Sequence, residues 1–124
     1  MPGRLLQTFG QNMAYNVYLA TPAQNELESA VEYLALRTAS PHVIRRLLND
    51  YEMAISALET NPFAYPIDLA ATEALGQEIR KIRVKPYRLF YRILASRNDV
   101  EIISFLHTRQ NIAGHILEDY GERY

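Results

Sequence analysis

The chain has no cysteine, and among its 124 residues Lys and Arg total 13 against 14 Asp and Glu, a formal net charge of -1. The missing cysteine excludes disulfides and thiolate metal sites outright, and it suits a reducing cytoplasm. The charge balance excludes a broad electrostatic attraction to nucleic acid, so any such affinity has to come from a local patch. No apolar run approaches the length of a transmembrane helix, and the leading MPGRLLQTFG lacks the apolar segment of a signal peptide. Repeats, low-complexity tracts and interdomain linkers are absent as well. A length of 124 residues suits one domain with a real core. Residues 1–12 read as a loose arm or a cloning remnant, because Met13 can serve as a natural start, and residues 13–124 as one domain.

What is present is organised by two periods. In MAYNVYLA, residues 13–20, Met13, Tyr15, Val17 and Leu19 alternate with smaller or polar residues, which predicts a strand. Thr21-Pro22 with Gln24 forms a capping-box pattern that opens a first helix, expected to end near Thr38. Leu27, Val31 and Leu34 give it an apolar stripe, and Glu26, Glu28 and Glu32 occupy positions that can face water. Ser40-Pro41 repeats the signal for a second helix with the stripe Ile44, Leu47, Leu48, Tyr51, Ile55 and Leu58, closed by Asn61-Pro62. So short a link implies a helix hairpin. A short helix follows over 69–75, stopped by Gly76.

The period then returns to two. Ile79, Ile82 and Val84 interleave with basic residues, Pro86-Tyr87 makes a bend, and Leu89, Tyr91 and Ile93 alternate with Arg88, Phe90 and Arg92. Asn98-Asp99 marks a turn into VEIISFLH, apolar on both faces and so expected at the sheet centre. Thr108 is placed to cap a last helix carrying Ile112, Ile116 and Leu117. The order β-α-α-β-β-β-α defines an α+β domain in which a helix hairpin covers one face of the sheet.

The hairpin between residues 80 and 92 holds six basic side chains and no acidic one. Strand parity puts Lys81, Arg83 and Lys85 on the face opposite Ile82 and Val84, and Arg88, Phe90 and Arg92 join them. If the apolar set packs on the helices, a positive, aromatic-containing surface faces outward, suited to phosphate backbones and base stacking. Basic residues on exposed strands also serve simply to block edge-to-edge aggregation, or pair with acidic helices. By the same parity Tyr91 belongs to the core. His42, in the first turn of the second helix, is expected in solvent.

Three segments in order, IRKIRV, PYRLFYRI and VEIISFLHTRQN, resemble the RelE/ParE superfamily of bacterial type II toxins. The marks are the Tyr87-Arg88 pair, the FYR of Phe90 to Arg92, and His107-Thr108-Arg109. Upstream, AYNVYLATPAQNELESAVEYL and ETNPFAYP follow the same order, so the likeness runs from about Met13 to Ile116. The resemblance implies a small twisted, mainly antiparallel sheet with two helices on one side. It also implies a cytoplasmic toxin neutralised by an antitoxin that wraps around it, with oligomers formed through that partner. Members resembling RelE cut messenger RNA on the ribosome, those resembling ParE poison DNA gyrase, and a degenerate member would only bind an antitoxin-like partner.

RNA cleavage needs a base for the ribose 2′-hydroxyl, an acid for the leaving 5′-oxygen, and cations for the transition-state charge. It needs no metal, and no cofactor is expected. The resemblance carries these roles to Lys81, Arg83, Arg88, Arg109 and His115. Arg88 and Arg109 are the expected phosphate clamps, since guanidinium offers a fixed donor fork. Lys81 serves as base only with its pKa depressed by neighbouring positive charge. His115 would stand where cleaving members often carry a tyrosine. Arg80, Lys85, Tyr87, Phe90, Arg92 and His107 are the expected RNA- or antitoxin-binding residues. The His-any-Arg pattern at 107–109 looks more like the ParE side of the family.

Overall fold

The computed structural model describes residues 14–38, 40–110, 112 and 114. Four strands form one sheet in the order β1-β4-β3-β2. They are β1 (Asn16–Leu19), β2 (Arg80–Val84), β3 (Tyr87–Leu94) and β4 (Asp99–His107). β2-β3 and β3-β4 pair antiparallel, while β1 pairs parallel to β4. The two strands richest in apolar residues thus occupy the centre, as the double-sided pattern of VEIISFLH requires. The proposed arm, residues 1–12, lies outside the described residues.

α1 (Thr21–Arg37) and α2 (Pro41–Thr60) lie on one sheet face. The expected capping box does not form: α1 starts one residue early, its N-cap is Ala20, and no side chain caps it. The first turn is instead closed by the Gln24 amide donating to the Ala20 carbonyl at 3.0 Å. Along α2 the buried stripe is Leu47, Tyr51, Ala54 and Leu58, whereas Leu48 is exposed. Small Ala54 lies one turn beyond Tyr51 on the buried stripe, a position the run of larger apolar residues does not mark. These residues join Tyr87, Leu89, Tyr91, Val100, Ile102 and Phe105 in the main core.

The other face is not open. α3 (Leu69–Leu75) ends at Gly76, whose φ of 71° is the left-handed conformation that glycine adopts without strain. This helix contributes Ala71 to a second core with Ile79, Phe90, Ile103, Leu106 and Ile112. A β-bulge makes both cores reachable from β4. The partners Phe90↔Ser104 and Tyr91↔Ile102 leave Ile103 unopposed, which resets the alternation. Ile102 and Phe105 therefore enter the main core, and Ile103 and Leu106 the second one. Of the expected last helix, Ile112 is buried, while Ile116 and Leu117 lie outside the described residues.

Candidate functional site

β2 and β3 meet with Lys81 opposite Phe90 and Arg83 opposite Arg88. Directly opposed residues project from the same face, so Lys81, Arg83, Arg88 and Phe90 share the side away from α1 and α2. Phe90 nevertheless cannot meet a ligand, because it is 0% exposed beneath α3. The expectation of an open aromatic platform is corrected at that residue. The reason is that α3, an element outside the hairpin, packs on it.

What remains beside the second core is a groove of about 720 Å³ lined by Tyr65, Pro66, Lys81, Ile82, Arg83, Arg88 and Thr108. Its cations are engaged to very different degrees. The Lys81 ammonium lies 3.0 Å from Oδ1 of Asp68. Arg88 donates through Nη2 to the carbonyls of Thr108 and Gln110, both at 3.2 Å, and its guanidinium lies over the Phe90 ring at 5.3 Å. Its Nε is buried with no hydrogen-bond partner among the described residues. Arg83 and Lys85 are exposed, and among the described residues neither makes an ion pair.

The other basic residues of the hairpin hold the fold together. Arg92 reaches Glu101 on β4 at 2.7 Å and Gln77 at 3.0 Å. Arg80 pairs with Glu78 at 2.8 Å and donates to the carbonyls of Phe63 and Tyr65 at 3.2 and 2.6 Å. It fastens the 62–66 segment to the β2 edge, with Phe63 below its guanidinium at 5.5 Å. Much of the positive charge in the hairpin is therefore structural, because guanidinium satisfies several carbonyls and a carboxylate at once.

Asp68 went unnoticed in the sequence, although an aspartate directly before a helix is an N-cap signal. Its Oδ2 accepts the Ala71 amide at 2.9 Å while Oδ1 faces Lys81, and the residue is only 7% exposed. Burial pushes its carboxyl up. The Ala71 amide, the Lys81 ammonium and the charge of Arg88 outweigh that and leave it below the usual carboxylate value. Lys81 thus faces a carboxylate as well as positive neighbours, which is not the purely cationic setting that a lysine base demands.

Tyr87 belongs to β3 rather than to the bend, and it turns toward the helices. It stacks on Phe105 at 4.8 Å and meets His107 edge-on at 5.5 Å. A second cavity of about 680 Å³ opens there, with Glu26, Tyr33, Tyr87, Phe105, His107 and Arg109 in its lining. Arg109 lines this cavity and Arg88 the basic groove, so the two expected clamps are not gathered into one site. His107 caps the turn after β4, its Nδ1 accepting the Arg109 amide at 3.2 Å. Glu26, expected in water, instead accepts from the Phe105 amide at 2.9 Å and the Ser104 hydroxyl at 3.1 Å. It covers the β4 edge beyond the end of β1. Tyr91 is buried as expected, its hydroxyl donating to the Pro62 carbonyl at 2.6 Å. His42 is exposed beside Arg45, and His115 lies outside the described residues.

No group of three or more His, Cys, Asp or Glu side chains among the described residues is placed to hold a metal ion. No helix among them is long and apolar enough to cross a membrane. No curated protein matches the chain. Among solved structures, it is similar to a chain of the toxin–antitoxin complex RelBE2 from Mycobacterium tuberculosis. The identity is 22%, with 76% of this chain and 98% of that chain covered, and the TM-score is 0.49. Residues 17–112 match the family described as ParE toxin of type II toxin–antitoxin system, parDE, so the chain belongs to the ParE toxin family.

Proposed function

We propose that this protein is a cytoplasmic, gyrase-directed toxin that acts by protein recognition and not by RNA cleavage. One observation carries the reading: Lys81 and Arg88, two of the three groove cations a nuclease would aim at a phosphate, are already engaged, as is Arg92 beside them on the hairpin. Lys81 faces Asp68, Arg88 faces two turn carbonyls and Arg92 faces Glu101. A transition-state clamp gains its rate effect from donors left for the developing charge, and donors spent on the fold supply little of it. Membership of the ParE family points the same way.

The expected partners are DNA gyrase and a cognate antitoxin. A segment with acidic and apolar residues fits the groove, where exposed Arg83 stands beside Tyr65 and Ile82. Such binding weakens with salt.

The test is direct. Purified protein added to gyrase and relaxed plasmid blocks supercoiling, while messenger RNA on programmed ribosomes stays intact. Cleaved messenger with unimpaired supercoiling would overturn the reading.

One observation favours the ribonuclease alternative, namely that Lys81, Arg83 and Arg88 do line one groove. On that alternative Arg88→Ala loses single-turnover cleavage by on the order of a hundredfold at saturating protein. It does so with little loss of ribosome binding.

A further inference from the structure

One of the groove's cations carries its own anion. Lys81 lines the groove, and beside it Asp68 places one carboxylate oxygen 3.0 Å from the Lys81 ammonium while the other accepts the Ala71 amide at 2.9 Å. It is buried and tied at both oxygens, so it is not a mobile surface charge. Arg88, on the same sheet face as Lys81, adds its positive charge to the carboxylate's surroundings. A nucleic-acid phosphate entering the groove would seek the ammonium that Asp68 holds. We infer that Asp68 is a specificity-determining residue: a built-in counter-anion that takes the phosphate position at Lys81 and biases the groove toward a protein partner over RNA.

The chemistry is a competition. Binding a single-stranded backbone is driven largely by release of counterions, one increment for each phosphate a cation neutralises. A cation already neutralised from within contributes little to that release. Of the three groove cations, Arg83 is the exposed one with no ion pair among the described residues, and it should dominate phosphate contact in the wild type. A protein segment is less affected, since its apolar side chains and main chain meet Tyr65 and Ile82 regardless of that one charge. The inference rests on reading the groove as a protein-recognition surface, but it makes its own prediction about RNA.

The experiment measures binding of a fluorescent oligouridylate across a salt series, by anisotropy. Asp68→Asn is the first variant, because asparagine caps a helix as well as aspartate does and so keeps α3 in place. Releasing Lys81 should tighten binding on the order of tenfold at about 50 mM salt and steepen the salt slope by about 0.7. Adding Lys81→Gln to Asp68→Asn should return both to wild-type values. Unchanged affinity and slope in a folded Asp68→Asn protein would overturn the inference.

A second comparison does not depend on that variant folding. In the otherwise wild-type chain, Lys81→Gln should cost RNA binding less than twofold, while Arg83→Gln costs severalfold. Equal losses would show that Lys81 already contacts phosphate and that Asp68 does not shield it. The supercoiling assay on the unaltered protein tests the gyrase reading separately, so the two can fail independently.

Discussion

The two faces of this sheet are built to different plans. Toward α1 and α2, Leu47, Tyr51, Leu58, Leu89, Tyr91, Val100, Ile102 and Phe105 make one broad apolar core. On the far side, a small core under α3 gives way to a cationic groove within the length of the same strands. The difference shows how one alternating pattern can serve both stability and recognition. Phe90 and Arg88 are two residues apart on β3 and project the same way, yet one is covered and the other borders the groove. What separates them is α3, which packs over Phe90 and whose cap, Asp68, lies on the side of Lys81 and Arg88.

The comparison breaks most readily at Phe90. If the far face holds a true core, Phe90→Ala should destabilise the protein by about 3–5 kcal/mol, as deletion of a buried aromatic does. Phe105→Ala on the main core should cost a similar amount. Urea unfolding of both variants checks this, and a cost below about 1 kcal/mol for Phe90→Ala would mark its face as open.

Asp68 tests the seam between small core and groove. Asp68→Ala removes a helix cap and leaves Lys81 without its carboxylate, at an expected cost of about 2 kcal/mol near neutral pH. Because the Asp68 carboxyl lies below its ordinary value, its stabilisation is present above the unfolded-state value near 3.8. That stabilisation is lost as the pH falls through the still lower folded-state value. The stability gap between wild type and Asp68→Ala, measured by urea unfolding over a pH series, should therefore shrink as the carboxyl protonates. A gap that stays constant down to strong acid contradicts this account.

A smaller effect is expected at Tyr91. Tyr91→Phe keeps the packing and loses only the hydroxyl donated to the Pro62 carbonyl, so about 1 kcal/mol is expected. Proteolysis rates of the 61–66 loop would show whether that bond holds the loop to the sheet.

Arg83→Ala sharpens the comparison from the other side. Its stability should stay within about 0.5 kcal/mol of wild type, since Arg83 is exposed and makes no ion pair among the described residues. Binding of the cognate antitoxin should weaken and lose part of its salt dependence. A fold that melts early in Arg83→Ala would move this residue from the groove to the scaffold.

Several features follow from the sequence alone. Helix ends at Thr38, Asn61 and Gly76 were legible because proline restricts the backbone locally and glycine permits the left-handed turn that closes a helix. Period-two alternation in the hairpin placed Leu89 and Tyr91 inside, and the doubly apolar β4 announced a central strand. The ordered motifs pointed to the toxin superfamily. All of these depend on residues close in the chain, whose constraints act whatever packs around them.

Only the tertiary structure decided how the basic residues are used. Lys81 meets Asp68 13 positions away, Arg88 reaches carbonyls 20 and 22 residues on, and Glu26 crosses 79 positions to the Phe105 amide. The bulge at Phe90/Tyr91 likewise depends on strand pairing, since a single strand carries no record of which residue its neighbour will skip. Charge in a sequence says how many ions must be accommodated. Whether each becomes a clamp, a strut or a contact surface is decided by the partner that folding brings within about 3 Å of it.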